Sequence, residues 1–180
     1  MICSSFFLHS EGFFRCLSKK YIYKGGNKVR TFHYDIYIAA SPDKIWEAWT
    51  KSEHTERYFF GTAIRSDWNI GSSIEYLRGE VTDFGEIIEL IPNRKLVHSW
   101  SNTSDTSDRE EPTVVSLTLT SMGDVTKVTL DHEKLLSADY EENPYTFRGY
   151  NNGWPFILSN LKSYIETDNL LEVDFSEDVS

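Results

Sequence analysis

The chain has 180 residues, an apolar share of 39%, abundant aromatic residues and a formal net charge of −10. This length suffices for one domain with a substantial core, and the composition excludes disordered and fibrous classes. No apolar run approaches the roughly 18 residues that a membrane-spanning helix needs, so membrane insertion is not expected.

The charge is divided unevenly along the chain. Residues 1–30 carry six basic side chains and one acidic side chain, so the remainder holds a net charge of −15. A domain this acidic should repel nucleic acid and anionic lipids, and it favours neutral, apolar or cationic partners. A solvated surface that keeps the protein in solution explains the same charge. Both cysteines, Cys3 and Cys16, lie in this first segment. The rest of the chain has no thiol chemistry, which fits a cytoplasmic protein.

The first thirty residues differ from the rest of the chain. They are basic, show no clear periodicity and lack the continuous apolar stretch of a secretion signal. We interpret 1–30 as an extension that is not native to the domain. Codons for Lys24-Gly25-Gly26 can contain a bacterial ribosome-binding sequence, and Val29 can be encoded by the alternative start GTG. Translation would then naturally begin at Val29; an ordinary flexible tail or a transit peptide are the alternatives.

The folded part begins with a predicted strand over 31–40, in which apolar and polar residues alternate. "SPDKIWEAW" predicts a helix with Ser41 as N-cap, Pro42 in the first turn and a buried stripe that includes Trp49. "SEHTERYFF" predicts a second short helix, capped by Ser52 and ending near Gly61.

A series of strands with tight turns between them comes next. The predicted strands cover 62–67, 72–78, 80–91, 94–102, 112–121 and 125–134, and 101–112 reads as a polar loop. Consecutive strands joined by short turns predict antiparallel pairing.

The chain closes with an amphipathic helix, predicted from Ile157 onward. Its apolar residues share one face: Trp154, Ile157, Leu158, Leu161 and Ile165. We expect Gly153 to let the helix approach the sheet closely, and Pro155 to kink it. We expect Trp154 to fill the groove between helix and strands, as part of the core first, with a ligand contact as the alternative. Residues 168–180 read as a frayed acidic tail.

Together these elements predict an α+β fold over 31–167. A curved antiparallel sheet wraps around the long C-terminal helix, and two short helices after the first strand close one end. Because a curved sheet leaves a concave face, a cavity between sheet and helix is possible.

Four blocks of sequence carry a family resemblance: IYIAASPDKIWEAWTKSEHTERYFFG, GEIIELIPNRKLVHSW, VTKVTLDHEKL and GWPFILSNLKSYIE. In this order they resemble the START-like (SRPBCC) superfamily of helix-grip proteins, which includes birch-pollen-allergen-like and polyketide-cyclase-like members. They look most like its homologues of the activator of the heat-shock-protein-90 ATPase. The resemblance covers roughly 31–166 and implies the fold; the fold hosts many functions. Tyr58-Phe59-Phe60 stands where relatives often show paired tryptophans, which implies a reshaped cavity.

No catalytic or cofactor motif stands out. The chain has no G-x-S-x-G, H-E-x-x-H, Walker or G-x-G-x-x-G sequence, and its five histidines lack helical metal-ligand spacing. Asp131, His132 and Glu133 are neighbours on a predicted strand, so His132 faces away from both acids. We therefore expect neither a cofactor nor a metal, and favour a binding protein over an enzyme.

The surplus of aromatic residues indicates a ligand cavity, since such cavities are mostly apolar and aromatic with a few polar anchors. The predicted function is binding of a small apolar or aromatic molecule. The predicted contacts are Phe60, Trp100 and Trp154 as apolar walls, with Glu75 or His132 as the polar anchor. Two alternatives stay open. A cochaperone-like or stress-response interaction module requires an exposed apolar patch and a filled interior. A cyclase- or hydrolase-like enzyme requires a titratable group aimed into the cavity.

Overall fold

A computed structural model describes residues 29–172. Of the predicted extension over 1–30, residues 1–28 lie outside the described residues, as do residues 173–180 of the acidic tail. The strands are β1 (Arg30–Ile38), β2 (Ala63–Ser66), β3 (Ser73–Arg78), β4 (Glu80–Ile91), β5 (Lys95–Asn102), β6 (Thr113–Met122) and β7 (Val125–Leu135). The helices are α1 (Pro42–Thr50), α2 (Ser52–Tyr58) and α3 (Tyr150–Thr167), with a short 3-10 helix at Ser137–Asp139.

The seven strands form one antiparallel sheet in the order β1-β7-β6-β5-β4-β3-β2. All neighbouring strands in the sheet are consecutive in sequence except β1 and β7, the first and the last, which pair with each other. The helix-grip fold predicted from the sequence is confirmed, with α1 and α2 following β1 and α3 closing the chain. Every predicted strand is present within two residues of its expected ends.

The two short helices form for the expected reasons, with one difference in capping. Pro42 opens α1, and Ile45 and Trp49 are among its buried residues. The N-cap of α2 is Lys51, not Ser52, which is instead the first helical residue. The helix ends because the backbone turns to positive φ at Phe60 (51°) and Gly61 (72°).

Helix α3 begins at Tyr150, seven residues earlier than the predicted start at Ile157. Gly149, at φ 71°, precedes its first turn, and Pro155 lies inside the helix. The expected role of Gly153 was wrong. A Cβ there would meet only the Phe147 carbonyl oxygen at 3.4 Å, and no atom of the sheet within 4 Å. Gly153 therefore does not permit a close approach of helix to sheet.

The core lies between α3 and the concave face of the sheet. The predicted stripe of α3 is buried in full: Trp154, Ile157, Leu158, Leu161 and Ile165. Polar Asn160 is also buried, and its side chain donates to the Tyr58 carbonyl at 2.9 Å. This bond ties α3 to the end of α2.

The first residues of the predicted acidic tail pack back onto the domain. Asp168 is the C-cap of α3 and forms an ion pair with Arg57 at 2.9 Å. The Leu171 N–H donates to the Asn160 side chain at 2.9 Å. The expected fraying therefore does not begin at 168. Among the helices described, none is long and apolar enough to cross a membrane.

Candidate functional site

A cavity of about 360 Å³ lies at the N-terminal end of α3 and is open on one side. It is bounded by the first turns of α3, the inner faces of β3, β4 and β5, and the turn after α2. The 3-10 helix and the segment before α3 complete its rim. Its lining comprises Phe59, Phe60, Thr62, Tyr76, Arg78, Asp83, Trp100, Asn102, Ala138, Asp139, Phe147, Gly149, Tyr150, Gly153, Trp154 and Ile157.

The aromatic wall of the cavity is continuous with the core. Trp100 and Trp154 meet edge to face with ring centroids 5.5 Å apart, and Phe59 meets Trp154 in the same way at 5.8 Å. Trp49 lies behind Trp154 at 6.4 Å, with its ring nearly parallel. Aromatic pairs at these distances stabilise one another beyond their buried area. The wall is therefore a preformed surface rather than a set of mobile side chains.

The opposite side carries a buried carboxylate. Asp83 is 7% exposed, accepts from the Asn102 amide at 2.7 Å, and accepts from the Thr82 hydroxyl at 2.9 Å. Each oxygen thus has one protein donor and further lone pairs to offer. Arg78, on the same inner face, is exposed at the cavity mouth.

A second carboxylate on the rim is held by Arg109, from the loop between β5 and β6. Arg109 Nη2 donates to Asp139 at 2.6 Å, and Nε binds Asp105 and the Ser107 hydroxyl. The other Asp139 oxygen accepts from the Leu136 N–H at 2.6 Å. We call this arrangement the Arg109 bridge. It holds the 3-10 helix against the loop that the sequence predicts only as a polar connection.

His132 is fully buried behind the aromatic wall, and its two nitrogens have different partners. The Trp154 indole can only donate, so His132 Nδ1, 3.0 Å away, is the acceptor. Nε2 then carries the proton and donates to the Thr113 hydroxyl at 2.8 Å, which in turn donates to the Trp100 carbonyl at 3.0 Å. Burial lowers the pKa of His132 to about 3, with a further contribution from nearby His98. His132 is therefore a neutral, fully hydrogen-bonded ring.

His98 is the second buried imidazole. Its Nδ1 lies 2.9 Å from the Ser99 carbonyl and must donate, so Nε2 accepts from the Tyr76 hydroxyl at 3.0 Å. Burial lowers the pKa of His98 to about 4. Trp100 lies between the two imidazoles, with centroid distances of 5.9 Å to His98 and 6.0 Å to His132.

The structure brings three of the five predicted site residues together. Phe60, Trp100 and Trp154 line the cavity, while His132 supports Trp154 from behind it. Glu75 was placed wrongly: it binds Arg65 at 2.6 Å on the outer face of β3 and β2. Because neighbouring strand residues face opposite sides, buried Tyr76 points inward and Glu75 points outward.

Sequence reasoning missed the polar lining. Asp83, Asn102, Asp139 and Tyr150 come from four separate segments, and no local spacing connects them. Within residues 29–172, no group of three or more potential ligands is arranged to hold a metal ion.

Comparison with known proteins identifies relatives of this chain. The sequence profile of the family described as activator of Hsp90 ATPase homolog 1-like protein matches residues 39–166. A comparison with curated protein sequences finds no match.

Several solved structures share the fold. CalU16 from Micromonospora echinospora is 24% identical, with a TM-score of 0.61 over 78% of each chain. The Aha1 dimer from Colwellia psychrerythraea is 23% identical, with a TM-score of 0.59 over 77% of this chain and 97% of that chain. PFC0360w, an Hsp90 activator from Plasmodium falciparum, is 20% identical, with a TM-score of 0.59 over 75% and 95%. At these identities the likeness extends to the fold alone.

Proposed function

The chain belongs to the family of activator of Hsp90 ATPase homolog 1-like proteins, and from that premise we propose that it binds a small aromatic or apolar molecule in the cavity at the N-terminal end of α3. The cytoplasm remains the proposed location, from the distribution of cysteines. The observation that carries the proposal is the cavity itself, whose volume falls in the range of small-molecule sites.

The lining supports a ligand with an aromatic body. Trp100, Trp154 and Phe59 present rings that are held by one another, so a planar molecule finds a surface that needs no ordering. Preorganised surfaces of this kind bind more tightly because less side-chain freedom is lost.

The charged groups of the lining are part of a hydrogen-bond network. Asp83 is held by Thr82 and Asn102, and Asp139 is held by Arg109 and the Leu136 N–H. Both carboxylates therefore have fixed positions, which suits the polar side of a preorganised binding site.

Filling the cavity should abolish binding. Gly153 lines the cavity, and a Cβ there makes only an ordinary contact with the Phe147 carbonyl oxygen, so Gly153→Leu places an aliphatic side chain inside the cavity. We expect affinity for tetralin, a two-ring aromatic probe, to fall at least tenfold by calorimetric titration. Thermal stability should not fall, because leucine favours a helix over glycine by about 1 kcal/mol.

Ser163→Leu is the matched control, since it places the same residue on the same helix away from the cavity. It should leave tetralin affinity unchanged. If Gly153→Leu and the parent protein bind tetralin with equal affinity, the cavity is not the binding site. Native mass spectrometry of protein purified from its own cell, searched for a retained small molecule, gives the natural occupant.

A second candidate function rests on a different surface. Phe84 and Ile88 on β4 are 46% and 50% exposed. We take them as the candidate contact surface, since protein interaction sites are apolar patches exposed to solvent. Because the family is named for activation of the Hsp90 ATPase, the candidate partner is Hsp90. If this function operates, the protein should raise the ATPase rate of purified Hsp90, and the double variant Phe84→Ser, Ile88→Ser should not. No stimulation by the parent protein would eliminate this candidate.

A further inference from the structure

Tyr150 is the first residue of α3, lines the cavity and was not foreseen as a site residue. Its ring meets the His132 ring edge to face at 4.2 Å, and the Trp100 ring at 6.4 Å with the planes nearly perpendicular. Because both partners are buried, they hold the Tyr150 ring against this wall and leave it only small shifts. The ring can be kept while the hydroxyl is removed, which makes the role of the hydroxyl testable.

The hydroxyl remains a proton donor at physiological pH. Burial raises the pKa of Tyr150, and the Asp83 and Asp139 carboxylates raise it further. Both carboxylates line the cavity, so the hydroxyl lies among its polar groups. The neutral phenol can donate one hydrogen bond and accept another.

The Trp100 indole N–H is a second polar group on this side of the cavity. The Trp100 and Tyr150 rings meet at 6.4 Å, and the indole N–H opposes the rise in the pKa of Tyr150. Yet Trp100 is 5% exposed, and its Nε1 has no partner of normal hydrogen-bond geometry within residues 29–172. A buried donor without an acceptor is uncommon and costs stability. A small shift of the Tyr150 hydroxyl toward Nε1 would satisfy the indole and aim the phenolic proton at an occupant of the cavity.

We propose that Tyr150 is the polar anchor of the cavity, accepting from the Trp100 N–H and donating to a neutral acceptor oxygen, such as a ketone, on an aromatic ligand. This rests on the proposed binding function and specifies the class of ligand. The acceptor is neutral because two carboxylates, Asp83 and Asp139, line the cavity against one cation, Arg78, which is exposed at its mouth, so an anionic group is repelled. The aromatic body of the ligand lies against Trp100 and Trp154.

The test compares 1-tetralone with tetralin, which share one carbon frame and differ by the ketone oxygen. Affinities for both are measured by calorimetric titration for the parent protein and for Tyr150→Phe, which keeps the ring against His132. We expect Tyr150→Phe to weaken 1-tetralone about tenfold, as loss of one hydrogen bond implies. Tetralin affinity should stay within twofold. A carboxylate on the same ring system should bind the parent protein more weakly than 1-tetralone does.

Tyr145→Phe is the matched control, because Tyr145 is 91% exposed and lies outside the lining. It should change neither affinity. If Tyr150→Phe lowers the affinities for both probes equally, Tyr150 only shapes the wall of the cavity. If the affinity for 1-tetralone is unchanged, Tyr150 binds no acceptor. Either result overturns the proposed anchor but leaves the proposed binding function standing. Failure of both probes to bind the parent protein would overturn the anchor and the binding function together.

Discussion

Trp154→Ala should lower the free energy of unfolding by about 3–5 kcal/mol, the range for removing a large aromatic residue from a core. Trp154 is 2% exposed and contacts Trp49, Phe59 and Trp100. Its loss leaves a void among these rings. It also leaves His132 Nδ1 without its donor in a fully buried position. Urea denaturation with linear extrapolation measures the change.

Two companion variants separate the causes of this loss. Trp154→Phe keeps an aromatic ring but removes the N–H. It should lower the free energy of unfolding by about 1–3 kcal/mol, because the His132 imidazole loses its donor and the ring is smaller. Trp46→Ala, on the half-buried side of α1, should cost less than Trp154→Ala. A loss below about 1 kcal/mol for Trp154→Ala, with tetralin affinity abolished, would mark Trp154 as a ligand contact rather than core.

Acidification from pH 7 to pH 5 should lower the free energy of unfolding by about 4 kcal/mol through the two buried imidazoles. Burial sets the folded pKa of His98 at about 4 and that of His132 at about 3, against 6.5 in the unfolded chain. Between these values the unfolded chain binds protons that the folded protein cannot. The stability is therefore complete above pH 6.5 and is lost as the pH falls toward 4. Each imidazole contributes about 1.4 kcal/mol per pH unit, hence about 2 kcal/mol at pH 5.

Among the described residues, the other groups with shifted pKa values change the free energy of unfolding little between pH 7 and pH 5. The hydrogen bond to Asp131 raises the pKa of His33, which therefore stabilises the fold at low pH, but the ring is largely exposed and screened. Asp35 has a pKa of about 2, mainly through Lys127, so its stabilising effect is lost only below the pH range tested.

The variant His132→Asn isolates one of the two imidazoles. Its amide oxygen can accept from the Trp154 N–H in place of Nδ1, and it does not titrate. The difference in unfolding free energy between pH 7 and pH 5 should fall to about 2 kcal/mol, the share of His98 alone. If the parent protein loses less than about 1 kcal/mol over this range, the imidazoles are not held neutral by burial.

Alternation and periodicity predicted the fold because each strand buries one face and α3 buries one stripe. His132 is an example: alternation separated it from Asp131 and Glu133, and the structure buries it on the inner face. The same rule, applied to Glu75 beside apolar Tyr76, would have placed Glu75 outside the cavity. The start of α3 was predicted too late because Gly153 and Pro155 are typical helix breakers. Tyr150, in the first turn, was therefore not considered as a site residue.

The polar lining could not be predicted for a different reason. A register shift between β3 and β4 pairs Tyr76 with Asp83 rather than with Thr82, which a plain hairpin around Gly79 would give. That one-residue shift brings the carboxylate to the inner face, and a single sequence does not reveal it. Asp139 is held at the rim by the Leu136 N–H and by Arg109, which comes from a loop thirty positions earlier in the chain.

The Arg109 bridge makes the segment between β5 and β6 a mechanical support of a site that it does not touch. Substitution or shortening of that surface segment would change the shape of the cavity rim at a distance, through the 3-10 helix. Homologues with unchanged cavity walls could therefore differ in the opening of the cavity by varying this exposed connection alone.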